Sequence, residues 1–388
     1  MRNIMIDLLD IVGQDAAAGL IQRSLGGNRQ PHAYLFAGPA GVGRRTMAVA
    51  LGRTLLCDNV QMRPNNGKLH DLDADQPVRQ ACGACHSCRM IEAGTNPDFQ
   101  MVYKELARYH DDANVRSRVM QDLGIDVIKS FLIDPANRSS ARGRGKVFIV
   151  QESELLSIAA QNALLKTLEE PPPGVRIILI CRWPDRMLPT TLSRCWIVRF
   201  GPLPAAFVRN KLLEAGAGDA EAAFWAGFTE GSVGRALKLA AQDMYAIKRD
   251  VLARLSNLSA AGGAELSEHL VKLTDNLSGQ AIADAKAADG ADLAKTLASR
   301  QAAGMVLELI ASAYRDALTI STGSPRPRVH ADQPEVPSAL AERFEATELA
   351  EIIEQLAEYE RLLWRNVNPK TVWDNVGITC VSAADLRL

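Results

Sequence analysis

The sequence has no long hydrophobic run and no excess of charge of either sign. No apolar stretch approaches the roughly 18–20 residues of a membrane span, and Ile177–Cys181 is typical of the longest. The formal net charge is −1 over 388 residues, so no overall positive field attracts the chain to nucleic acid. The residues after Met1 contain no secretory hydrophobic segment. We therefore expect a cytoplasmic protein without a membrane partner, in which any DNA contact is local or belongs to a larger assembly.

Cysteine is scarce, and more than half of it lies in one segment. Four of the seven cysteines form a group made of Cys57, Cys82, Cys85 and Cys88. Two successive C-x-x-C steps bring three thiolates around one ion, and Cys57 supplies the fourth. Four thiolates suit tetrahedral Zn²⁺ in a closed structural site, and His86 is an alternative ligand. We expect a structural zinc rather than free buried cysteines or a catalytic metal.

Strands and helices alternate in the first half of the chain. The predicted strands are 32–37, 147–150 and 175–180, and the predicted helices between them are 46–56 and 155–169. The strand segments are short apolar runs, two of them rich in β-branched residues, and the second helix is stopped by three prolines. This alternation predicts a doubly wound α/β domain over residues 1–200, with the cysteine module at 57–88 as an insertion. The polar segment 58–81 is interpreted as an insertion loop.

The strand pattern ends near residue 200. Residues 201–255 are predicted to form a small helical lid that contains a turn at 231–234, and residues 256–388 a helical domain that oligomerises. The clearest helical stripe is made of Leu349, Ile352, Ile353, Leu356 and Leu363.

A glycine loop follows the first predicted strand. Gly38, Gly41 and Gly43 fit the outline G-x-x-x-x-G-K-[ST], in which backbone N–H groups bind phosphate, Lys reaches the β- and γ-phosphates, and a hydroxyl binds Mg²⁺. Here Arg44 occupies the Lys position and Arg45 the hydroxyl position, with Thr46 one place later. Three readings are open: a plain glycine turn, a loop that still binds nucleotide through Arg44, and a phosphate loop that has lost its chemistry.

A second substitution, after a later strand, favours the interpretation that the phosphate loop has lost its chemistry. Phosphate-loop ATPases carry Asp-Glu after a later strand, where Asp holds the Mg²⁺ shell. This chain has Gln151 and Glu152 there, and Gln cannot supply the anionic charge. We expect that the chain neither binds nor hydrolyses ATP by itself.

Taken together, the glycine loop, the C-x-x-C-x-x-C insertion, the 161–172 stretch QNALLKTLEEPP and Ser193-Arg194-Cys195 resemble bacterial clamp-loader subunits of the AAA+ class. The resemblance covers about residues 8–240, and Asn366–Lys370 resembles a motif of the family's collar domain. It implies a AAA+ (RecA-like) parallel-sheet domain, a helical lid and an all-α collar.

The resemblance also implies a role within a DNA polymerase holoenzyme. The chain would belong to a hetero-pentameric ring with ATP-binding tau/gamma subunits and a delta subunit, which loads a sliding clamp at primer-template DNA. Arg194, together with Ser193, would complete the ATP site of a neighbouring subunit in trans. ATPase-inactive subunits occur in this family, in agreement with the changes at Arg44, Arg45 and Gln151.

Two other functions are compared with this one. An active tau/gamma-type ATPase would carry Lys at 44, a hydroxyl at 45 and Asp at 151, and the chain has none of them. A zinc-dependent DNA-binding module would need a basic surface around the cysteines, whereas Asp71, Asp73 and Asp75 lie in the adjoining loop. The basic stretch made of Arg138, Arg142, Arg144 and Lys146 is interpreted as solvated rather than bound to DNA.

Overall fold

The computed structural model describes residues 6–27, 30–65, 69, 72, 76–116, 122–259, 262–289, 294–365 and 367–381. The acidic residues Asp71, Asp73 and Asp75, and Asn366 of the collar motif, lie outside this set. The chain forms two compact units, the first made of 1–207 with 231–235 and the second of 208–230 with 236–388. The boundary between lid and collar at residue 255 stays a prediction. No helix in the described ranges is long and apolar enough to cross a membrane.

The described part of the first unit contains seven strands. The strands are β1 (Ala33–Ala37), β2 (Gln61–Pro64), β3 (Pro77–Gln80), β4 (Phe99–Val102), β5 (Lys146–Val150), β6 (Val175–Cys181) and β7 (Trp196–Arg199). Among the described residues, five of them form a parallel sheet in the order β4-β5-β6-β1-β7. All five residues of β1 and of β5 are buried, as expected for central strands covered on both faces.

Helices of the first unit connect these strands. They are α1 (Asp15–Gly26), α2 (Arg44–Leu56), α3 (His86–Glu92), α4 (Ala113–Arg116), α5 (Ile125–Ile128), α6 (Asp134–Ala136), α7 (Ile158–Glu169) and α8 (Pro189–Leu192). Short 3-10 turns lie at Leu8–Asp10, Lys104–Tyr109, Ser153–Leu155 and Pro184–Arg186, and a π-helical turn at Lys129–Ile133. At α7 the Ser157 side chain accepts a hydrogen bond from the Ala160 N–H at 3.1 Å and caps the helix.

The 58–81 segment differs from its prediction as a loop. Strands β2 and β3 pair in antiparallel fashion, with Met62 opposite Arg79. All four residues of β2 are exposed, so no apolar alternation marks the strand in the sequence. Gln22 of α1 stabilises β3, because its side-chain amide exchanges two hydrogen bonds of 2.8 Å with the Arg79 backbone.

After β7 the described chain is helical. The helices are α9 (Ala205–Glu214), α10 (Asp219–Phe228), α11 (Val233–Ala241), α12 (Met244–Ser256), α13 (Gly263–Asp289), α14 (Lys295–Ser321), α15 (Glu335–Arg343), α16 (Ala346–Trp364) and α17 (Pro369–Thr379). The predicted stripe on α16 is confirmed, since Leu349, Ile352, Leu356 and Leu363 are buried in the core of the second unit. The predicted α/β fold class, a parallel-sheet domain followed by helical regions, is likewise confirmed in the described residues.

A buried ion pair lies inside the second unit. The side chain of Lys248 is fully buried, and its Nζ lies 2.5 Å from Oδ2 of Asp332. The same carboxylate oxygen accepts a 2.7 Å hydrogen bond from the Tyr245 hydroxyl, and Nζ lies 4.3 Å from the centre of the Phe224 ring. Burial lowers the pKa of Lys248, and the carboxylate opposes that shift.

The ion pair leads to a stability prediction. Asp332→Asn should lower the free energy of unfolding by about 2–3 kcal/mol, because the buried ammonium loses its charged partner. Urea unfolding followed by circular dichroism measures the change. The control is Asp219→Asn, whose exposed carboxylate pairs with Arg209 at 2.6 Å, and little change is expected there. Equal midpoints for the two variants would contradict the prediction.

Candidate functional site

The glycine loop leaves β1 at the carboxyl edge of the sheet. The Gly38 N–H donates a 3.2 Å hydrogen bond to the Cys181 carbonyl at the end of β6. Gly41 and Gly43 have φ values of 73° and 100°, in the left-handed region that favours glycine. Gly43 is the residue that precedes α2. The structure therefore has the strand, loop and helix that a phosphate loop requires.

The two arginines of the loop differ in exposure. Arg44 is 8% exposed, and its Nε and Nη1 have no hydrogen-bond partner among the described residues. Burial lowers the pKa of this guanidinium, and attraction to Glu154 raises it. Arg45 is exposed and Thr46 half-buried. A planar buried guanidinium thus takes the place where a phosphate loop has a compact ammonium.

Gln151 and Glu152 lie directly after β5. The backbone N–H of Gln151 donates a 2.8 Å hydrogen bond to the Val102 carbonyl. Glu152 has a φ of 47° and its side chain is 57% exposed, with Oε2 at 3.4 Å from Nζ of Lys104. The acidic group that remains here is engaged in an ion pair within the chain.

The turn at 231–235 belongs to the first unit and packs on the glycine loop. The Gly234 N–H donates a 3.1 Å hydrogen bond to the Gly41 carbonyl. A Cβ atom at position 234 would lie 3.1 Å from the Gly41 Cα, and one on Gly41 would collide with Oγ of Ser232. Close packing of this turn on the loop thus requires glycine at position 41 and leaves little room for a side chain at position 234.

Sequence reasoning does not identify Gln14 as a site residue. Its side chain is buried, and Nε2 donates to the carbonyls of Val42 at 3.2 Å and Gly201 at 2.8 Å. Its Oε1 accepts from the Gly201 N–H at 3.2 Å. Gln14 therefore ties the glycine loop to the chain after β7. Gln14 stands between Gly13 and Asp15 in the sequence, a setting that does not indicate a buried side chain.

Arg194 follows α8 and lies at the surface, with its side chain 32% exposed. Nη1 donates to the Thr190 carbonyl at 2.8 Å and to Oγ of Ser193 at 3.4 Å, and Nη2 forms an ion pair with Oε1 of Glu169. These contacts are with α7 and α8, and none of those described joins Arg194 to the glycine loop. In the described contacts, Arg194 is thus separate from the glycine loop of the same chain.

The four cysteines come together as the sequence predicts. The Sγ atom of Cys57 lies 3.6 Å from that of Cys82, 3.8 Å from that of Cys85 and 3.7 Å from that of Cys88. A Zn–S bond of about 2.3 Å in a tetrahedron places sulfur atoms about 3.8 Å apart, so the cluster fits one such ion. All four Sγ atoms lie within 4.8 Å of one another, a geometry that can hold a metal ion.

Backbone N–H groups stabilise the sulfur atoms of this cluster. N–H groups of Cys82, Cys85 and Cys88 point at cysteine sulfur atoms at 3.3–3.4 Å. Burial raises the pKa of the Cys82 thiol, but hydrogen bonds from the backbone of Ala84 and Cys85 outweigh it and bring the pKa to about 7. Such donors stabilise thiolate, the form that binds metal.

The basic stretch of residues 138–146 has contacts inside the protein. Oδ2 of Asp58, the residue after Cys57, accepts from the Ser87 N–H at 3.1 Å and pairs with Arg142 at 3.4 Å. Arg144 donates a 2.8 Å hydrogen bond to the Asp58 carbonyl, and Nζ of Lys146 donates to the Pro135 carbonyl at 2.6 Å. Arg142 and Arg144 therefore tie the cysteine module to the sheet domain rather than being only solvated, whereas Lys146 is held by a carbonyl outside that module.

Comparison with known proteins gives matches in both units. A family model described as DNA polymerase III, delta subunit matches residues 13–204, and one described as DNA polymerase III, delta subunit, C terminal matches residues 271–374. The delta-prime subunit of Pseudomonas aeruginosa is 36% identical over 183 residues, 47% of each chain. That of Bacillus subtilis is 27% identical over 236 residues, 61% of this chain and 62% of the relative.

The tau subunit of DNA polymerase III from Escherichia coli is 32% identical over 204 residues, which are 52% of this chain and 27% of the relative. The chain thus spans between 27% and 62% of the length of these curated relatives. Together the two family models cover most of the sheet domain and of the C-terminal helices. On these matches, the chain belongs to the family of DNA polymerase III delta-prime subunits.

Proposed function

We propose that this chain is the delta-prime subunit of a clamp loader, does not turn over ATP itself, and supplies Arg194 to the ATP site of a neighbouring subunit. The observation that carries the proposal is the contrast between two arginines. Arg194 is 32% exposed at the end of α8, whereas Arg44, in the lysine position of the glycine loop, is buried. An exposed, held guanidinium is suited to act on a phosphate of another chain.

The proposed partners follow from the family. Tau/gamma and delta subunits would complete a hetero-pentameric ring, which opens a sliding clamp and loads it at primer-template DNA in the cytoplasm. The relatives that match include delta-prime and tau subunits of DNA polymerase III, which supports a place for this chain in the same complex. The chain would contribute an arginine and a fixed shape to the ring, and no independent catalysis.

The cysteine cluster is proposed to hold one structural Zn²⁺. When bound, the ion cross-links the end of α2 to the start of α3 through four thiolates. Because the four cysteine ligands fill a tetrahedral site, no position remains for a substrate or a reactive water. Arg142 and Arg144, paired with Asp58, fix this module on the sheet domain.

A second function, that of an active tau/gamma-type ATPase, is favoured by the 32% identity to a tau subunit. Three residues oppose it: the buried Arg44 and the exposed Arg45 at the glycine loop, and the neutral Gln151 after β5. Arg45 places a cation where Mg²⁺ is bound in a working site, and Gln151 adds no charge to hold the ion.

ATP binding by the isolated chain separates the two functions. Titration calorimetry with Mg-ATP should show no binding up to about 1 mM and no turnover, because the metal and phosphate ligands are replaced. The matched variant carries Arg44→Lys, Arg45→Thr and Gln151→Asp, and is expected to bind Mg-ATP at least about tenfold more tightly. Micromolar binding with turnover by the unmodified chain would favour the ATPase.

A further inference from the structure

A buried side chain of α7 fixes the start of α8. Gln161 of α7 is 2% exposed. Its Oε1 accepts a 2.8 Å hydrogen bond from the Leu188 N–H, immediately before α8, and one of 3.4 Å from Oγ1 of Thr191. Its Nε2 donates to the Leu156 carbonyl at 3.1 Å. A buried amide with these partners fixes where α8 starts relative to α7.

The last residue of α7 reaches the other end of α8. Oε1 of Glu169 forms an ion pair with Nη2 of Arg194. Nη1 of the same guanidinium is held by the Thr190 carbonyl at 2.8 Å and by Oγ of Ser193 at 3.4 Å. The stretch QNALLKTLEEPP therefore contacts α8 through its first residue, Gln161. Through its first glutamate, Glu169, it contacts Arg194 of the segment Ser193-Arg194-Cys195 (the SRC segment) that follows α8.

The partly exposed ion pair adds little to the stability of the fold, because solvent screens it. Its effect is to reduce the number of conformations that the Arg194 side chain samples. A free Arg side chain samples many rotamers, and holding it in one geometry in advance removes that entropic cost from the step in which it meets phosphate. A guanidinium has five N–H donors. The described contacts engage those of Nη1 and one of Nη2, which leaves Nε–H and one Nη2–H for phosphate oxygens.

We propose that Glu169 is a positioning residue for the trans reaction, which acts through Arg194 by holding its guanidinium ready for the phosphate of a neighbouring subunit. The inference rests on the proposed function, since it needs Arg194 to act in trans. Glu169 itself touches neither substrate nor the reacting atoms. Glu170, the next residue, is also exposed and offers a matched carboxylate on the same segment.

The test uses the reconstituted ring with clamp and primed DNA. Glu169→Ala should lower kcat for ATP hydrolysis by about tenfold while KM changes by less than about twofold, because orientation in the transition state is lost and ground-state binding is kept. Glu169→Gln should recover part of kcat, since its amide oxygen still accepts from the guanidinium. Glu170→Ala should match the unmodified ring. Unchanged or raised turnover with Glu169→Ala would overturn the inference.

A double substitution separates this inference from the proposed function. In an Arg194→Ala background, Glu169→Ala should have no further effect, since the two residues act as one unit. A further loss of kcat there would show that Glu169 acts independently of Arg194 and would overturn the inference. If Arg194→Ala alone leaves turnover unchanged, the proposed function fails. If Arg194→Ala lowers turnover and Glu169→Ala does not, only the positioning role fails.

Discussion

Arg194→Ala is expected to abolish most ATP turnover at the site that this chain completes, and to leave the chain itself folded. An arginine supplied in trans stabilises the charge of the transferring phosphoryl group, and its loss costs about 10³-fold at that site. The side chain lies at the surface with contacts confined to α7 and α8, so the sheet core is unaffected. Hydrolysis by the reconstituted ring, measured with clamp and primed DNA present, shows the loss.

The matched control for this experiment is Arg209→Ala. Arg209 is also exposed and also forms an ion pair, with Asp219 at 2.6 Å, but it lies outside the SRC segment. The ring that carries this variant should hydrolyse ATP at the unmodified rate. Size-exclusion chromatography of both rings checks that assembly is intact. Equal turnover in the Arg194→Ala and Arg209→Ala rings would count against the trans role.

Cys85→Ser is expected to release the metal and unfold the cysteine module. Structural zinc sites in small modules bind with roughly 10–16 kcal/mol at neutral pH, so one lost thiolate removes much of the free energy that orders residues 57–88. Elemental analysis should find about one zinc per unmodified chain and far less in the variant. Limited proteolysis should then cut the variant within this module, because its helix and strands lose their cross-link.

His86→Ala is the control for the metal centre. His86 is exposed and adjoins the cluster, yet the group of candidate ligands brought together in the described residues contains only the four cysteines. This variant should retain zinc and resist proteolysis like the unmodified chain.

ATP turnover per assembled ring should stay close to normal with Cys85→Ser. Zinc lost with His86→Ala and kept with Cys85→Ser would contradict the four-thiolate site.

Local signals predict the elements of the sheet domain because each has a distinct pattern. Strands β5 and β6 are β-branched apolar runs, and α7 ends before three prolines. The hairpin of β2 and β3 has no such pattern, since β2 is exposed along its whole length and is held through β3 by Gln22. Tertiary contacts, rather than local preference, make this segment a strand pair.

The sequence likewise predicts one part of the candidate site and not the other. The four cysteines were predictable because their spacing alone restricts how they can meet around an ion. The contact of Glu169 with Arg194 was not, since it depends on how α8 lies against α7. Glu169 belongs to the 161–172 motif, but the sequence of that motif does not indicate which side chain Glu169 contacts. The same holds for Gln14 and its carbonyl partners.

The packing around the glycine loop bears on how this protein can evolve. A Cβ on Gly38 would collide with the Phe200 carbonyl, and Gly41 and Gly234 restrict each other. Replacement of Gly38 would require the backbone at Phe200 to move, and replacement of Gly41 would require the Ser232 side chain to move. One substitution at the lysine position is therefore enough to change how the loop contacts phosphate, while packing still disfavours replacement of the glycines. Packing against Phe200 and Ser232 therefore restricts these glycines independently of any contact with phosphate.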